Sequence, residues 1–148
     1  MKIIICGDIV PTNINKDDFV ANNLKKLFAD VPDIFKGAAA VIANLECPLT
    51  ECEMPIKKLG PNLKAPKECV KTLKNAGITH CTLSNNHIYD YGMLGLTETL
   101  SSLEAEKIIW TGVGKNELDA RKNMTIEADG KKIVVVNVCE HEYSFALP

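Results

Sequence analysis

The sequence predicts an α/β layered domain, built on a mainly parallel sheet and closed by a C-terminal β-hairpin. Three observations carry that expectation. Short β-branched runs alternate with segments of helical periodicity. Each run gives way to a cluster of turn-forming or polar residues. Finally, an Asp-Gly pair near the carboxyl end divides two β-rich runs, the strongest short-range hairpin signal.

The elements follow in order. "KIIIC" reads as a strand buried in a parallel sheet and stops at Gly7-Asp8. Lys16 to Asp30 places Val20, Leu24, Leu27 and Phe28 on one stripe, which predicts a helix with Asn15 as N-cap and Pro32 beyond its end. "AAAVIA", residues 38–43, is the second strand and opens into a long polar loop. Pro66 starts a helix that turns Cys69 or Val70, Leu73 and Ala76 inward and stops at Gly77. "ITHCTL" is the third strand. "GLTETLSSLEAEK" carries Leu96, Leu100 and Leu103 at helical spacing, and "IIW" is the fourth strand, leading to the turn "TGVGK". "NMTIEADGKKIVVVNV" closes the pattern as the hairpin, and right-handed crossovers should link the parallel strands.

Composition narrows the partners. At 148 residues the chain is long enough to bury a core, and residues 1–148 are expected to form one compact unit or one half of a larger one. The 17 Lys and Arg nearly balance 19 Asp and Glu, which argues against nucleic acid or an anionic membrane as an obligate partner. The first apolar run is too short for a signal peptide or a membrane span, so a cytoplasmic protein is expected. Six cysteines without C-x-x-C pairs, several inside apolar runs, fit reduced thiols.

In open α/β sheets, ligands bind where loops leave the carboxyl ends of the strands. Asp8 follows the first strand, Asn44 and Glu46 the second, and Asn85, Asn86 and His87 the third. Carboxylate, carboxamide oxygen and imidazole suit Mn, Fe, Zn or Mg, and a divalent cation would relieve the repulsion of gathered carboxylates. Each residue also has a structural use: Asp8 can close a turn, Glu46 can be a solvated acid, and the asparagines can supply left-handed turn geometry. Convergence is what favours a site. Lys57, Lys58, Lys64 and Lys67 in the intervening loop could meet a phosphate or a polyglutamate carboxylate, or be a solvated surface. "TGVGK" lacks full Walker spacing and reads as a strand-end turn.

"CGDIVPT", "VIANLECPLT" and "LSNNHIYDYGMLGLTETLSSLEAEKI" followed by "WTGVG" resemble the successive motifs of the bacterial capsule-synthesis CapA family. Its members are also described as poly-γ-glutamate synthesis proteins and are related to the calcineurin-like metallophosphoesterases. The resemblance runs from about Ile3 to Val138. It implies half of a layered metallophosphoesterase-like sandwich and a dinuclear metal site with hydrolase-like chemistry on a phosphoester or γ-glutamyl substrate. Asp8 would ligate one metal, Glu46 bridge two and Asn86 ligate the second. His87 would face the substrate as a catalytic group, with Asp90 orienting it. Asn44 and Lys58 would contact a small-molecule or polyanionic substrate. Val10 departs from the pattern, since many calcineurin-like enzymes have a metal-binding histidine there.

The resemblance also implies histidines from later strands, yet the chain has three in all: His80, within an apolar strand and read as a core residue, His87, and His141. The expectation is therefore an amino-terminal part of a longer protein, inactive alone, with an uncovered sheet that favours self-association into a homo-oligomer. Two rivals remain at this stage: a catalytically inactive module that binds a polyanion or partner, and an inert fragment.

Overall fold

A computed structural model of the chain describes residues 1–140; the stretch 141–148, with His141 and the apolar "SFALP", lies outside the described residues. Four parallel strands, β1 (Ile3–Ile9), β2 (Ala40–Leu45), β3 (His80–Thr82) and β4 (Ile109–Thr111), form one sheet in the order β1-β2-β3-β4. An antiparallel hairpin, β5 (Met124–Ala128) and β6 (Lys131–Val135), follows. Its turn residues Asp129 and Gly130 have φ of 52° and 68°, the left-handed pair that a two-residue hairpin of matching twist requires. The expected α/β class and parallel sheet with a terminal hairpin are what the chain adopts.

The two faces of the sheet are covered differently. Val41, Ala43 and Leu45 of β2 and Cys81 of β3 pack with Phe19 and with residues of α4 (Cys69–Asn75) and α5 (Gly92–Ala105), forming the main core. Alternation sends Ala40 and Ile42 to the other face, where Met124 and Ile126 of the hairpin cover them. That cover is partial, for Ile5 remains 80% exposed and Ile109 51%. Cys69, Val70, Leu73, Leu96 and Leu103 are buried as their spacing predicts, and Gly77 ends the α4 segment at φ 98°.

The helix expected from Lys16 to Asp30 is instead three short ones: α1 (Lys16–Val20), α2 (Leu24–Phe28) and α3 (Val31–Phe35). Asn22 and Ala29 interrupt it with φ of 54° and 51°, and the Asn23 side chain caps α2 by accepting from the Lys26 amide. Pro32 consequently lies in the first turn of α3, and Asn15 donates to the Val10 carbonyl without capping α1. The apolar stripe survives only in part: Leu27 and Phe28 pack against the core, Val20 is 46% exposed, and Phe19, outside the stripe, is buried in its place and meets Phe28 edge to face at 5.9 Å. A further short helix, α6 (Glu117–Ala120), capped by Asn116, has no periodic signal in the sequence.

Cys47, Cys52, Cys69 and Cys81 are buried free thiols; burial pushes Cys69 up to about 11 and Cys81 up to about 12, so both stay protonated and unreactive near neutrality. Among the described residues no helix is long and apolar enough to cross a membrane.

Candidate functional site

The site begins with an irregularity in β1. Ile5 pairs with Ile42 and Asp8 with Asn44, so β1 spends three residues where β2 spends two. Without that extra residue Asp8 would face the main core; the bulge turns it onto the face that Asn44 shares. There Asn44 Nδ2 donates to Asp8 Oδ1 at 2.7 Å. The Asn44 Oδ1 in turn accepts from Asn85 Nδ2 at 3.2 Å and Thr82 Oγ1 at 3.3 Å. One hydrogen-bonded row therefore joins the carboxyl ends of β1, β2 and β3.

Asn85 is the hub of the loop after β3. It is 8% exposed, and its Nδ2 also donates to the Leu45 carbonyl at 2.9 Å. Its Oδ1 accepts the amides of His87 at 3.1 Å and Ile88 at 2.9 Å, which holds the loop in a tight turn. Asn85 is thereby committed to shaping the turn, and Asn86 and His87 are the half-buried side chains it presents.

Asp90 lies beneath them, fully buried. Its Oδ2 lies 2.8 Å from His87 Nδ1 and accepts from the Leu63 amide at 2.7 Å, and its Oδ1 takes the Lys58 ammonium. Lys58 also donates to the Asn86 carbonyl at 3.1 Å, and its side chain is 4% exposed. The polar loop between β2 and α4 thus folds back and locks onto the loop after β3. Between them opens a cleft of about 230 Å³ lined by Lys58, Leu59, Gly60, Pro61, Asn86 and His87.

Asp8 and Glu46 stand outside that lining. Asp8 is exposed and Glu46 half-buried. Burial raises the Glu46 carboxyl above its usual range, the Asp8 carboxylate pushes it further the same way, and His87 opposes them. Two carboxylates that repel are oxygen donors of the kind a hard divalent cation takes, whereas the Asn44 and Asn85 carboxamide oxygens are already engaged within the protein. Among the described residues, however, no three His, Cys, Asp or Glu side chains gather closely enough to hold a metal ion. Asp8 and Glu46 are two neighbouring carboxylates, fewer titratable donors than a metal ion needs from a protein site.

Other sequence signals resolve as follows. Lys64 pairs with Glu53 at 2.5 Å and Lys67 with Glu98 at 3.4 Å, while Lys57 is exposed. Little of the anticipated basic patch is left unpaired by the fold. "TGVGK" is the turn after β4, and Gly112, at φ 97°, leaves room for Asn137, whose Oδ1 accepts the amides of Leu83 at 3.0 Å and Ser84 at 2.6 Å. Sequence reasoning passed over Asn137; the one signal was a carboxamide interrupting the apolar run "IVVVNV".

Comparison with known proteins adds a family frame. The model for the family described as bacterial capsule synthesis protein PGA_cap matches residues 2–146. The chain is 27% identical over 139 residues to the capsule biosynthesis protein CapA of Bacillus anthracis, covering 92% of this chain and 34% of that protein. It is 31% identical over 104 residues to the PGA biosynthesis protein CapA of Bacillus subtilis, covering 68% and 27%. A probable polyglutamine synthesis accessory protein of Mycobacterium tuberculosis is 36% identical over 64 residues, 43% of this chain and 17% of that one. The chain spans about a third or less of the length of these relatives.

Proposed function

Because the chain belongs to the bacterial capsule synthesis family PGA_cap, we propose that it carries the strand-end part of a metal-dependent site that acts on a γ-glutamyl polymer or its precursor. The observation behind this reading is the row Asp8, Asn44, Asn85 across three adjacent strand ends, with Glu46 beside it and Asn86 and His87 on the next turn. Relatives named for PGA biosynthesis favour a polyglutamate-related substrate over an unrelated phosphoester. Asp8, Glu46 and Asn86 would hold one or two divalent cations, Mg or Mn by the hardness of their oxygens. Such a cation, when bound, polarises a carbonyl or phosphoryl oxygen and makes hydroxide available near neutral pH.

The protein side of the reaction falls to a few groups. Asn44 holds Asp8 in place through its amide hydrogen, so the carboxylate needs little reorganisation to take a cation. His87, on the cleft wall, is positioned to exchange a proton with a bound substrate, and Asp90 orients its ring. Leu59, Gly60 and Pro61 also line the cleft and would meet the substrate from the loop that follows β2.

Calorimetric titration with Mn and Mg tests the reading. Asp8→Ala and Glu46→Ala should each weaken binding at least tenfold, and unchanged affinity in both variants would remove the proposed ligands. A second reading, a polyanion-binding module without chemistry of its own, is favoured by the missing third titratable ligand among the described residues. No cleavage of a γ-glutamyl oligomer, with Mn or Mg present, by a chain that includes the remaining length of the relatives would select it.

A further inference from the structure

The two strands of the C-terminal hairpin meet solvent in different ways. Along β5 burial alternates: Met124 and Ile126 are buried, while Thr125 and Glu127, on the outward face, are exposed and polar. That is the pattern of a strand covered on one face only. β6 departs from it. Ile133 and Val135 stand opposite Ile126 and Met124, on the face turned to the main sheet, yet the outward positions after Lys132 are valines as well. Val134 is 50% exposed, Val136 65% and Val138 79%. A near-continuous apolar run is what a strand covered on both faces carries. Among the described residues, however, β6 pairs with β5 alone, and its other edge has no strand beside it.

That edge is open in its backbone too. The pair that closes a two-residue turn, here Ala128 and Lys131, is hydrogen-bonded, and bonded pairs recur at Ile126–Ile133 and Met124–Val135. The amides and carbonyls of Lys132 and Val134 therefore point away from β5. The strand is also held at both ends. The Met1 amino group pairs with Asp129 in the turn at 2.6 Å, and beyond β6 the Asn137 side chain accepts the Leu83 and Ser84 amides. A strand fixed in this way loses little freedom when another joins it. Edge strands are ordinarily guarded by charge, and here the guards, Lys131 and Lys132, stand at one end only.

Charge makes the edge complementary to itself in one direction. Parallel pairing of two β6 strands would set lysines against lysines. Antiparallel pairing about a two-fold axis sets the Lys131–Lys132 end of each copy toward the other's far end, where Glu140 is the next charged residue, and lays valines against valines between. We infer that β6 is a self-docking edge: two copies of the chain pair antiparallel through it, joining their hairpins into one four-stranded sheet with the valines of both copies adjoining on its outward face. The inference does not involve the strand-end site and stands or falls apart from it.

Sedimentation velocity of the unsubstituted chain over a concentration series tests it. A single strand pair buries less than a standard interface, so a dissociation constant on the order of 10 μM is expected. Two variant chains probe the contact, one with Val134→Lys and Val136→Lys, the other with Val134→Glu and Val136→Glu. Each alone should dimerise at least tenfold more weakly, and an equimolar mixture should recover dimers. Thr125→Lys, on the outward face of β5, should leave dimerisation unchanged. Amide exchange at Lys132 and Val134 should slow at least fivefold as dimers form, a sign of edge pairing that stacking of faces would not give. Because the substituted side chains are exposed, the variants should keep their fold; should one fail to, exchange in the unsubstituted chain decides. A chain still monomeric at ten times the expected constant overturns the inference and leaves the edge to a different occupant. Dimers that persist in both double variants, a mixture that stays monomeric, or dimers without protection at Lys132 and Val134 overturn it as well.

Discussion

The two halves of the strand-end site are built to opposite rules. After β3, every side-chain polar atom of Asp90 and Asn85 is engaged within the protein, and both residues are buried. After β1 and β2, Asp8 is exposed, and the Glu46 carboxyl is raised by burial and by its acidic neighbour. The first half is saturated and rigid; the second keeps unrelieved charge. A fold under selection for stability alone would pair or dilute those acids, whereas a cation resolves them at once. The difference teaches where stability resides and where substitution should be tolerated.

Removing Asp90 attacks the saturated half at its centre. Asp90→Ala leaves the Lys58 ammonium buried without a counterion and should destabilise the chain by about 3–5 kcal/mol, read from urea unfolding midpoints. A loss below about 1 kcal/mol would mean that water reaches the pair and that the rigid half is not rigid.

Asn85→Ala should come next. It strips acceptors from the His87 and Ile88 amides and a donor from the Leu45 carbonyl, for a loss of roughly 1–3 kcal/mol. Amide hydrogen exchange at His87 and Ile88 should accelerate in the folded variant; unchanged protection would show that the turn is held by something other than Asn85.

The pH response extends the contrast to His80, at the start of β3. His80 is buried, and burial lowers its imidazole below the ordinary value of 6.5. The unfolded chain then binds this proton more readily than the folded one, so stability is fully present above pH 6.5 and declines as pH falls toward the folded value. Thermal midpoints should drop between pH 7 and pH 5, and His80→Gln should flatten that part of the profile. An identical slope in the variant would assign the acid sensitivity to other groups.

The smallest effect on stability belongs to the open half. Asp8→Ala removes an exposed acid that repels Glu46, and stability should change by no more than about 0.5 kcal/mol. Carbon-13 titration should find the Glu46 carboxyl closer to its usual range, though still raised, since burial is the larger cause. A large destabilisation would place Asp8 in the structural half and erase the distinction drawn between the two.

The alternation of apolar runs and helical stripes was enough to read four parallel strands, the α4 and α5 segments and the hairpin, because burial of one face imposes a period on the residues themselves. The strand-end residues were legible for the same reason: polar clusters behind apolar runs lie at one edge of any parallel sheet. Three features were not. The helix from Lys16 breaks at Asn22 and Ala29, where local left-handed geometry overrides the periodic stripe, leaving Val20 exposed and burying Phe19. The bulge that turns Asp8 toward Asn44 is a register event between strands separated by more than thirty residues. Lys58 looks in sequence like any loop lysine, and its burial depends on Asp90, thirty-two positions away. Periodicity is a local property and survives in one dimension; the partner of a buried charge is decided only when the chain has folded back and water has been excluded from the pair.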